Sequence, residues 1–341
     1  MTNQQTDRPV KLALNGFGRI GRSILRMLAT SRAAEAFEIT LINDIAPLET
    51  CAYLFQYDSV FGPFPGAVSF GDHSLTVDGK TIPFHCVRDV GELNLSDVDV
   101  LLECTGAAGN RATAMRGLEA GAHAVLISGP SAVADVTVVL GANDADLADH
   151  RIVSNASCTT NALAPLLRIL DENWGVESGH MTTVHCYTGS QPTIDKPRDN
   201  LARSRAAALS MVPTTTSAAR LIGEVLPALA GRIEARAIRV PTASVSAIDL
   251  NLQTREPVTV EQVNAVLRQA AENSNLIGWI DQPLVSTDLR GRPESIVLSG
   301  LETSVSVGGL LRVFGWYDNE WGFSNRMLDM ARLISERQRQ G

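Results

Sequence analysis

The stretch Val10-Lys-Leu-Ala-Leu-Asn-Gly-Phe-Gly-Arg-Ile-Gly21 decides the fold class of this chain. It begins with a short apolar run, typical of a buried strand, and continues as Gly-x-Gly-x-x-Gly with glycines at 16, 18 and 21. Apolar residues at 20, 24, 25 and 28 then share one face of a helix, and a second apolar strand, 39–42, ends at Asn43-Asp44. This order of strand, glycine turn, helix and strand predicts a Rossmann-type unit with a parallel sheet.

The glycines and the acid of this unit have separate roles in dinucleotide binding. Gly16 makes the tight turn, Gly18 lets a pyrophosphate approach the backbone, and Gly21 lets the helix pack closely on the strand. Asp44 lies 23 residues beyond Gly21, close to the roughly 20 usual for a carboxylate that binds ribose hydroxyls. Because this carboxylate would repel a 2′-phosphate, it indicates NAD.

Further apolar strands, 98–102 and 125–127, lead to Thr105 and Ser128. The carboxyl ends of parallel strands are where ligands bind, which makes both residues candidates for cofactor contact. Turn chemistry explains each of them as well. Two local signals predict structure elsewhere: Asp78-Gly79 marks the turn of a hairpin over 66–83, and Thr259-x-x-Gln262 marks the start of a helix.

Length and composition exclude several classes of protein. A chain of 341 residues with 45% hydrophobic and 19% charged residues is expected to form two globular domains. The change from cofactor-binding motifs to the cysteine motif predicts their boundary near residue 157. The net charge of −8 and the lack of a basic run argue against a nucleic-acid partner. The polar segment 1–8 does not resemble a signal peptide, and no apolar run is long enough for a membrane span. Five scattered cysteines without zinc-type spacing predict a cytoplasmic protein without a metal site.

Cys158 lies in the run Ser154-Asn-Ala-Ser-Cys-Thr-Thr-Asn161, between a strand-like stretch and a helical one. Leucines at 163, 166, 167 and 170 share one helix face, so the thiol is expected at a helix N-terminus. Free N–H groups and the helix macrodipole favour an anion there, and we expect a lowered thiol pKa and a nucleophile. A buried, inert cysteine fits the position alone equally well.

His185 lies near the end of the strand-like segment 181–188. It is too distant in sequence from Cys158 for a local contact, so only the fold can bring the two together. A cysteine–histidine pair is the simplest arrangement that holds a thiolate and moves a proton. A hydrogen-bonded strand histidine without a catalytic role is the alternative.

The polar stretch 187–217 is unusually long for an irregular segment, which indicates function. It contains Arg203, and Arg239 follows within an apolar strand. Arginine in such surroundings suits a bound phosphate or carboxylate. For any single arginine, an ordinary ion pair is an equally good explanation.

Several segments follow one another along essentially the whole chain: Asn15-Gly-Phe-Gly-Arg-Ile-Gly-Arg22, Ser154 to Asn161, Thr183-Val-His185, Arg205-Ala-Ala-Ala-Leu-Ser210, Arg239-Val-Pro-Thr242 and Trp316-Tyr-Asp-Asn-Glu-Trp-Gly-Phe323. Together they resemble the phosphorylating glyceraldehyde-3-phosphate dehydrogenases. The run around Cys158 is specific to that family and to its close relative, the erythrose-4-phosphate dehydrogenases.

The resemblance implies an α/β homotetramer. It implies a Rossmann domain with a parallel sheet (1–157), an α+β catalytic domain with a mixed sheet (158–323), and a last helix (324–341) that packs back on the first domain. The implied reaction is NAD-dependent oxidation and phosphorylation of D-glyceraldehyde 3-phosphate to 1,3-bisphosphoglycerate. It passes through a thiohemiacetal and a thioester, and its small-molecule partners are the phosphosugar aldehyde and inorganic phosphate.

The resemblance also implies roles for individual residues. Cys158 is the nucleophile, and His185 is its base and later its acid. Implied ligands of the substrate phosphate are Thr188 and Arg239. Implied ligands of inorganic phosphate are Ser157, Thr159, Arg203, Thr216 and Ser217. Implied contacts of NAD are Gly16, Phe17, Gly18, Arg19, Ile20, Asp44, Arg88, Thr105, Ser128, Tyr317 and Asn319, with Asn319 holding the nicotinamide amide.

Some positions depart from the family's pattern. Gly189-Ser190-Gln191 replaces the common Asn-Asp-Gln, and Ser217 replaces a glycine. Lys196 replaces a leucine common in NAD-specific members, so NADP use is an open alternative. Tyr187-Thr188 favours the glyceraldehyde-3-phosphate branch, and erythrose-4-phosphate oxidation ending in hydrolysis is the alternative. A non-catalytic NAD-binding protein is a third possibility, against which Cys158, His185 and Arg239 argue.

Overall fold

The computed structural model describes residues 8–31 and 35–340. The polar segment that argued against a signal peptide lies, up to residue 7, outside the described residues. The chain divides into two units, each with its own sheet. The first unit contains 8–138, 145–156 and 324–340, and the second contains 139–144 and 157–323.

The first unit is built from short strands and four helices along the described chain. Its strands are β1 (Val10–Asn15), β2 (Phe37–Asn43), β3 (Tyr57–Asp58), β4 (Gly62–Pro63), β5 (Val68–Phe70), β6 (Ser74–Val77), β7 (Lys80–His85), β8 (Val100–Glu103), β9 (Ala124–Ile127), β10 (Val136–Thr137) and β11 (Ile152–Ser154). Its helices are α1 (Arg19–Thr30), α2 (Leu48–Gln56), α3 (Arg111–Glu119) and, from Ser324 on, α7 (Trp321–Gln340).

Within the described residues, the main sheet of this unit has nine strands in the order β10-β11-β9-β8-β1-β2-β7-β6-β5. The pairs from β10 to β7 are parallel, which confirms the predicted Rossmann-type sheet. Leu12 and Leu14 on β1 and Leu102 on β8 are fully buried, as expected for central strands of a parallel sheet with both faces covered.

The antiparallel edge of this sheet contains the predicted hairpin. Strand β6 pairs with β7 through the turn at Asp78 and Gly79, whose φ angles are +47° and +79°. Positive φ at both central residues is what a tight hairpin turn of this kind requires. The sequence signal at Asp78-Gly79 is therefore confirmed.

Helix α7 packs with the first unit, as the predicted returning helix should. Met327, Met330 and Ile334 on its inner face are buried. Near its end, Arg339 Nη2 lies 3.3 Å from Asp99 Oδ2, and the same carboxylate binds Arg8 at 2.7 Å. In the described part of the chain, no helix is both long and apolar enough to cross a membrane.

The second unit combines a mixed sheet with three helices in its described residues. Its strands are β12 (Val176–Cys186), β13 (Val212–Thr214), β14 (Ile233–Val240), β15 (Ser246–Thr254), β16 (Ile277–Ile280), β17 (Ile296–Ser299), β18 (Ser304–Val305) and β19 (Leu311–Tyr317). Its helices are α4 (Cys158–Trp174), α5 (Ala218–Val225) and α6 (Val260–Glu272). Short 3₁₀ helices along the chain cover Val90–Glu92, Asp144–Leu147, Ala202–Ser204, Pro227–Leu229, Ser286–Leu289 and Gly300–Glu302.

The second sheet runs β13-β14-β12-β15-β19-β17-β16, with β18 added beside β19. Strand β12 pairs parallel with β14 and antiparallel with β15, so the predicted mixed sheet is confirmed. The register places His185 of β12 directly beside Arg239 of β14. Helix α6 begins with the predicted cap, because Thr259 and Gln262 exchange side-chain and backbone hydrogen bonds.

Candidate active site

Cys158 is the first residue of helix α4. Ser157 caps the helix, and its Oγ accepts a hydrogen bond from Thr160 N at 3.1 Å. Two residues before the thiol, Ala156 has a φ of +53°, a conformation that L side chains rarely adopt. The backbone is therefore strained in the turn that places Cys158 at the helix N-terminus, and such strain is common at functional sites.

His185 lies against this thiol. Its Nε2 is 3.8 Å from Cys158 Sγ, and its Nδ1 is 2.7 Å from the carbonyl oxygen of Cys186. Strand β12 holds the imidazole near the carboxyl end of the strand, and only 4% of His185 is exposed. The fold thus brings together the two residues that sequence spacing alone could not connect.

The pKa values of this pair differ from what the sequence predicts. Burial raises the pKa of the Cys158 thiol, although Arg239 and the hydrogen bonds of Thr159 oppose the effect. The predicted lowering is therefore wrong for this chain, because burial of the sulfur outweighs the helix terminus. Burial, followed by the charge of Arg239, lowers the pKa of His185 to about 4. The resting pair is thus a neutral thiol beside a neutral imidazole.

Tyr317 completes the packing around the pair. Its hydroxyl lies 2.9 Å from Thr159 Oγ1 and 2.8 Å from Thr183 Oγ1, and its ring meets the His185 ring edge-on at 6.0 Å. The side chain is fully buried, and burial raises the pKa of its phenol. Sequence resemblance assigned Tyr317 to the cofactor, whereas its hydroxyl here joins α4 to β12.

The predicted phosphate ligands lie in the second unit on several segments. Arg203 Nε donates to Thr214 Oγ1 at 2.7 Å and its Nη2 donates to the carbonyl of Thr215, beside Thr216. The charge of Arg203 also contributes to lowering the pKa of His185, as that of Arg239 does. Thr188 Oγ1 lies 2.9 Å from Ser190 Oγ. Ser217 precedes α5 without a side-chain capping bond.

A cleft of about 740 Å³ in the first unit, the glycine cleft, is lined by five of the eleven predicted cofactor residues. Those at its wall are Gly16, Gly18, Asp44, Arg88 and Thr105. The other six do not line it: Phe17 is buried, Arg19 pairs with Asp58, Ile20 and Ser128 lie outside the wall, and Tyr317 and Asn319 belong to the second unit.

The glycines at 16, 18 and 21 fit the roles expected in a dinucleotide-binding turn. Gly16 has a φ of +96°, and a Cβ there would lie 2.7 Å from the backbone of Cys104 and Thr105. A Cβ on Gly21 would lie 2.3 Å from Gly16 O, so both positions exclude side chains. Gly18 faces open space, which a side chain would fill. The cradle at the start of α1 thus leaves room for a pyrophosphate on free N–H groups.

The acid of the cleft is held by backbone. Asp44 Oδ2 accepts from Phe17 N at 2.6 Å, and Oδ1 accepts from Ala46 N at 2.8 Å. Each carboxylate oxygen has further acceptor capacity, which suits ribose hydroxyls. The carboxylate is therefore fixed in place before any ligand binds.

A buried polar chain under the cleft escaped the sequence reasoning. Asn43 Nδ2 donates to Asn15 Oδ1 at 2.8 Å, Asn15 Nδ2 donates to Glu103 Oε2 at 2.5 Å, and Glu103 Oε1 accepts from Thr105 N at 2.9 Å. Asn15, Asn43 and Glu103 are the last residues of β1, β2 and β8, respectively. The sequence does carry a signal for this chain of hydrogen bonds, because each of the three apolar strands ends in a polar residue.

Comparisons with known proteins match both parts of the chain. Residues 10–111 match the family model "Glyceraldehyde 3-phosphate dehydrogenase, NAD binding domain", and 157–319 match its "C-terminal domain". The chain is 48% identical over 329 residues to a glyceraldehyde-3-phosphate dehydrogenase of Pseudomonas aeruginosa, covering 96% of this chain and 98% of the relative. It is 47% identical over 327 residues to that of Xanthobacter flavus, covering 94% and 97%. It is 42% identical over 334 residues to glyceraldehyde-3-phosphate dehydrogenase 1 of Bacillus subtilis, covering 96% and 99%.

Proposed function

Because the chain belongs to the glyceraldehyde-3-phosphate dehydrogenase family, we propose that it oxidises and phosphorylates D-glyceraldehyde 3-phosphate to 1,3-bisphosphoglycerate with NAD. The observation that carries the proposal is the contact of Cys158 Sγ with His185 Nε2 at 3.8 Å. It lies within the segment matched by the family's C-terminal domain. The names of the relatives do not favour the erythrose-4-phosphate alternative.

The first chemical step follows from the protonation of the pair. Cys158 is a thiol and His185 is neutral, so Nε2 can take the thiol proton as the sulfur adds to the aldehyde carbon. The new C–S bond leaves an alkoxide on the former aldehyde oxygen, and Nε2 passes the proton to that oxygen, which gives the thiohemiacetal and restores the neutral imidazole. Backbone N–H groups of Cys158 and Thr159 at the start of α4 favour negative charge there.

Oxidation and phosphate transfer complete the reaction. His185 removes the hydroxyl proton of the thiohemiacetal as its carbon loses a hydride. When bound, NAD is the acceptor of that hydride. The thioester on Cys158 keeps the acyl group activated, so an oxygen of inorganic phosphate attacks its carbonyl carbon. The C–S bond then breaks, and His185 returns the proton to the sulfur.

Phosphate recognition is proposed for the cations and hydroxyls of the second unit. Arg239 and Thr188 would hold the substrate phosphate, and Arg203 with Ser157, Thr159, Thr216 and Ser217 would hold inorganic phosphate. The electrostatic influence of both arginines on His185 supports their closeness to the reacting atoms. Arginine suits such sites because its planar fork matches phosphate oxygens.

Cofactor contacts are proposed in both units. The glycines of the cleft and Asp44 would hold the dinucleotide, and Asn319 would hold the nicotinamide amide. The backbone-anchored carboxylate of Asp44 supports NAD rather than NADP. Lys196, which is exposed, keeps NADP use as an alternative to be measured.

A homotetramer is proposed from the segment 187–217. Four large apolar side chains of this segment are 74–85% exposed: Ile194, Leu201, Leu209 and Met211. Several exposed apolar side chains in one segment are typical of a protein–protein interface. Burial against other copies would remove this apolar surface from water. Mass photometry should give four times the chain mass of 36.5 kDa. A cytoplasmic location is proposed because all five cysteines are free thiols.

Steady-state kinetics test the proposed activity. The purified enzyme is assayed with glyceraldehyde 3-phosphate and with erythrose 4-phosphate, each with and without inorganic phosphate, and with NAD and NADP. We expect the highest kcat/KM with the three-carbon substrate and NAD, with turnover that depends on phosphate. Faster turnover of the four-carbon sugar, indifferent to phosphate, would overturn the proposal.

A further inference from the structure

Cys186 follows His185 directly, at the end of strand β12. Its side chain is fully buried, and its Sγ lies 3.0 Å from Asn319 Oδ1. Asn319 comes just after strand β19 and is 7% exposed. The Cys186 thiol therefore hydrogen-bonds the side-chain amide of Asn319, the residue that the proposed function places against the nicotinamide.

Ser246, the first residue of β15, closes a small network with the same two side chains. Its Oγ accepts from Cys186 N at 3.2 Å and lies 3.5 Å from Asn319 Oδ1, toward which its hydroxyl donates. Burial raises the pKa of the Cys186 thiol to about 12, so the sulfur carries its proton at physiological pH. The amide oxygen of Asn319 thus meets two donors, an S–H and an O–H.

Two donors on one side determine the polarity of the Asn319 amide. The reversed amide would point its N–H₂ at a sulfur, which is a weak acceptor, and at a hydroxyl that already accepts from Cys186 N, so weaker hydrogen bonds would replace those to the amide oxygen. The nitrogen Nδ2 makes no hydrogen bond with residues 8–31 or 35–340, and it is not among the buried atoms without a partner. The amide therefore presents its N–H donors away from Cys186, where they suit a carbonyl acceptor of a ligand.

We propose that Cys186 is a positioning residue for the cofactor, which fixes the Asn319 amide so that Nδ2 donates to the carboxamide oxygen of the nicotinamide. The inference rests on the proposed function, in which Asn319 contacts that ring. Cys186 acts through Asn319 and does not touch the substrate. Its effect belongs to the nicotinamide half of the cofactor and leaves the adenosine half unaffected.

Binding titrations of purified variants test this role. Cys186→Ala removes the donor, and Cys186→Ser keeps a donor of similar size. We expect Cys186→Ala to weaken NAD binding about three- to ten-fold, the size of one neutral hydrogen bond. We expect Cys186→Ser to retain most of the native NAD affinity. ADP-ribose, which lacks the nicotinamide, should bind all three proteins equally.

Steady-state kinetics should likewise show an effect on NAD and none on the aldehyde substrate. In Cys186→Ala the KM for NAD should rise, while the KM for glyceraldehyde 3-phosphate stays unchanged. Unaltered NAD affinity in Cys186→Ala would overturn the inference, and so would equal losses in Cys186→Ala and Cys186→Ser. Equal weakening of ADP-ribose would also overturn it, because that indicates general damage to the fold.

A second variant covers the case in which Cys186→Ala fails to fold. Ser246→Ala removes the weaker donor, so NAD affinity should fall less, with ADP-ribose binding again unchanged; native NAD affinity there would count against the network. Failure of the proposed function is seen separately in the native protein. If the native enzyme binds NAD but does not oxidise glyceraldehyde 3-phosphate, the proposed substrate is refuted. The comparison of NAD and ADP-ribose affinities still tests the role of Cys186, because it does not require turnover.

Discussion

Arg239 Nη1 lies 2.9 Å from His185 Nδ1, because β14 and β12 run parallel with these two residues in register. The same nitrogen donates to the carbonyl of Cys186 at 3.1 Å. The guanidinium disfavours a second positive charge on the imidazole and favours a negative charge on the Cys158 sulfur. One arginine therefore lowers the pKa of both members of the pair, against the burial that raises the pKa of the thiol.

Replacing this arginine should make the thiol less reactive. In Arg239→Gln we expect the pKa of Cys158 to rise further above its ordinary value of 9.0, since an opposing cause is lost. The rate of alkylation by iodoacetamide at pH 8 should fall about three- to ten-fold, the equivalent of half to one pKa unit. The measurement is the rate against pH for the cofactor-free enzyme. Arg205→Gln, an exposed arginine paired with Asp195, should leave the curve in place. An unshifted Arg239→Gln curve would contradict the electrostatic role.

Acid should destabilise the fold through His185. Its pKa falls from 6.5 to about 4 on folding, so between these values the unfolded chain binds a proton that the folded chain does not. The free energy of unfolding should therefore decrease as the pH falls from 6.5 to 4, by up to about 3 kcal/mol from this group. His185→Gln lacks this contribution, and its melting temperature should depend less on pH over that range.

Thermal melts between pH 7 and pH 4 check this difference. His73→Gln, at an exposed position, is the matched control and should melt with the native pH dependence. If His185→Gln and the native protein lose the same number of degrees on acidification, the buried imidazole does not carry the effect.

Removing the sulfur should separate binding from chemistry. In Cys158→Ser we expect kcat to fall about a thousandfold or more, because an alcohol beside a histidine with a low pKa is a poor nucleophile. NAD affinity should persist in the same variant. Cys86→Ser changes an exposed thiol and should keep native turnover. Substantial turnover by Cys158→Ser would refute the assignment of the nucleophile.

Asp44 should control the choice of cofactor. In Asp44→Ala we expect NAD affinity to fall about ten-fold or more, the size of hydrogen bonds to a charged group. NADP should lose much less affinity, since the repulsion of its 2′-phosphate is removed as well. Equilibrium titrations with both cofactors measure the ratio, with Asp72→Ala as an exposed control. An equal loss for both cofactors would show that Asp44 only supports the backbone of the turn.

The first sheet was predictable because its signals are local. The glycines at 16, 18 and 21 and the turn at Asp78-Gly79 demand backbone conformations that the residue type alone reveals. The chemistry of Cys158 was only partly predictable. Its place at a helix start follows from the leucine spacing, whereas the direction of its pKa depends on burial by residues distant in sequence.

Contacts between strands were beyond the sequence reasoning. His185 and Arg239 are 54 positions apart in the chain and become neighbours only through the register of two parallel strands, which no local pattern encodes. The role of Cys186 was missed for the same reason, since Asn319, just after β19, is 133 positions away in the chain. Only the strand-end residues Asn15, Asn43 and Glu103 carried a signal that a closer reading could have used.

The three glycines of the first turn respond to different selective pressures. Side chains at 16 and 21 meet backbone atoms, so a library screened only for folded protein should reject them. Gly18 has a φ of −73° and open space before it, so the same screen should accept alanine or serine there. A second screen for cofactor retention should then remove those survivors. At position 18, selection for ligand binding can therefore be distinguished from selection for folding.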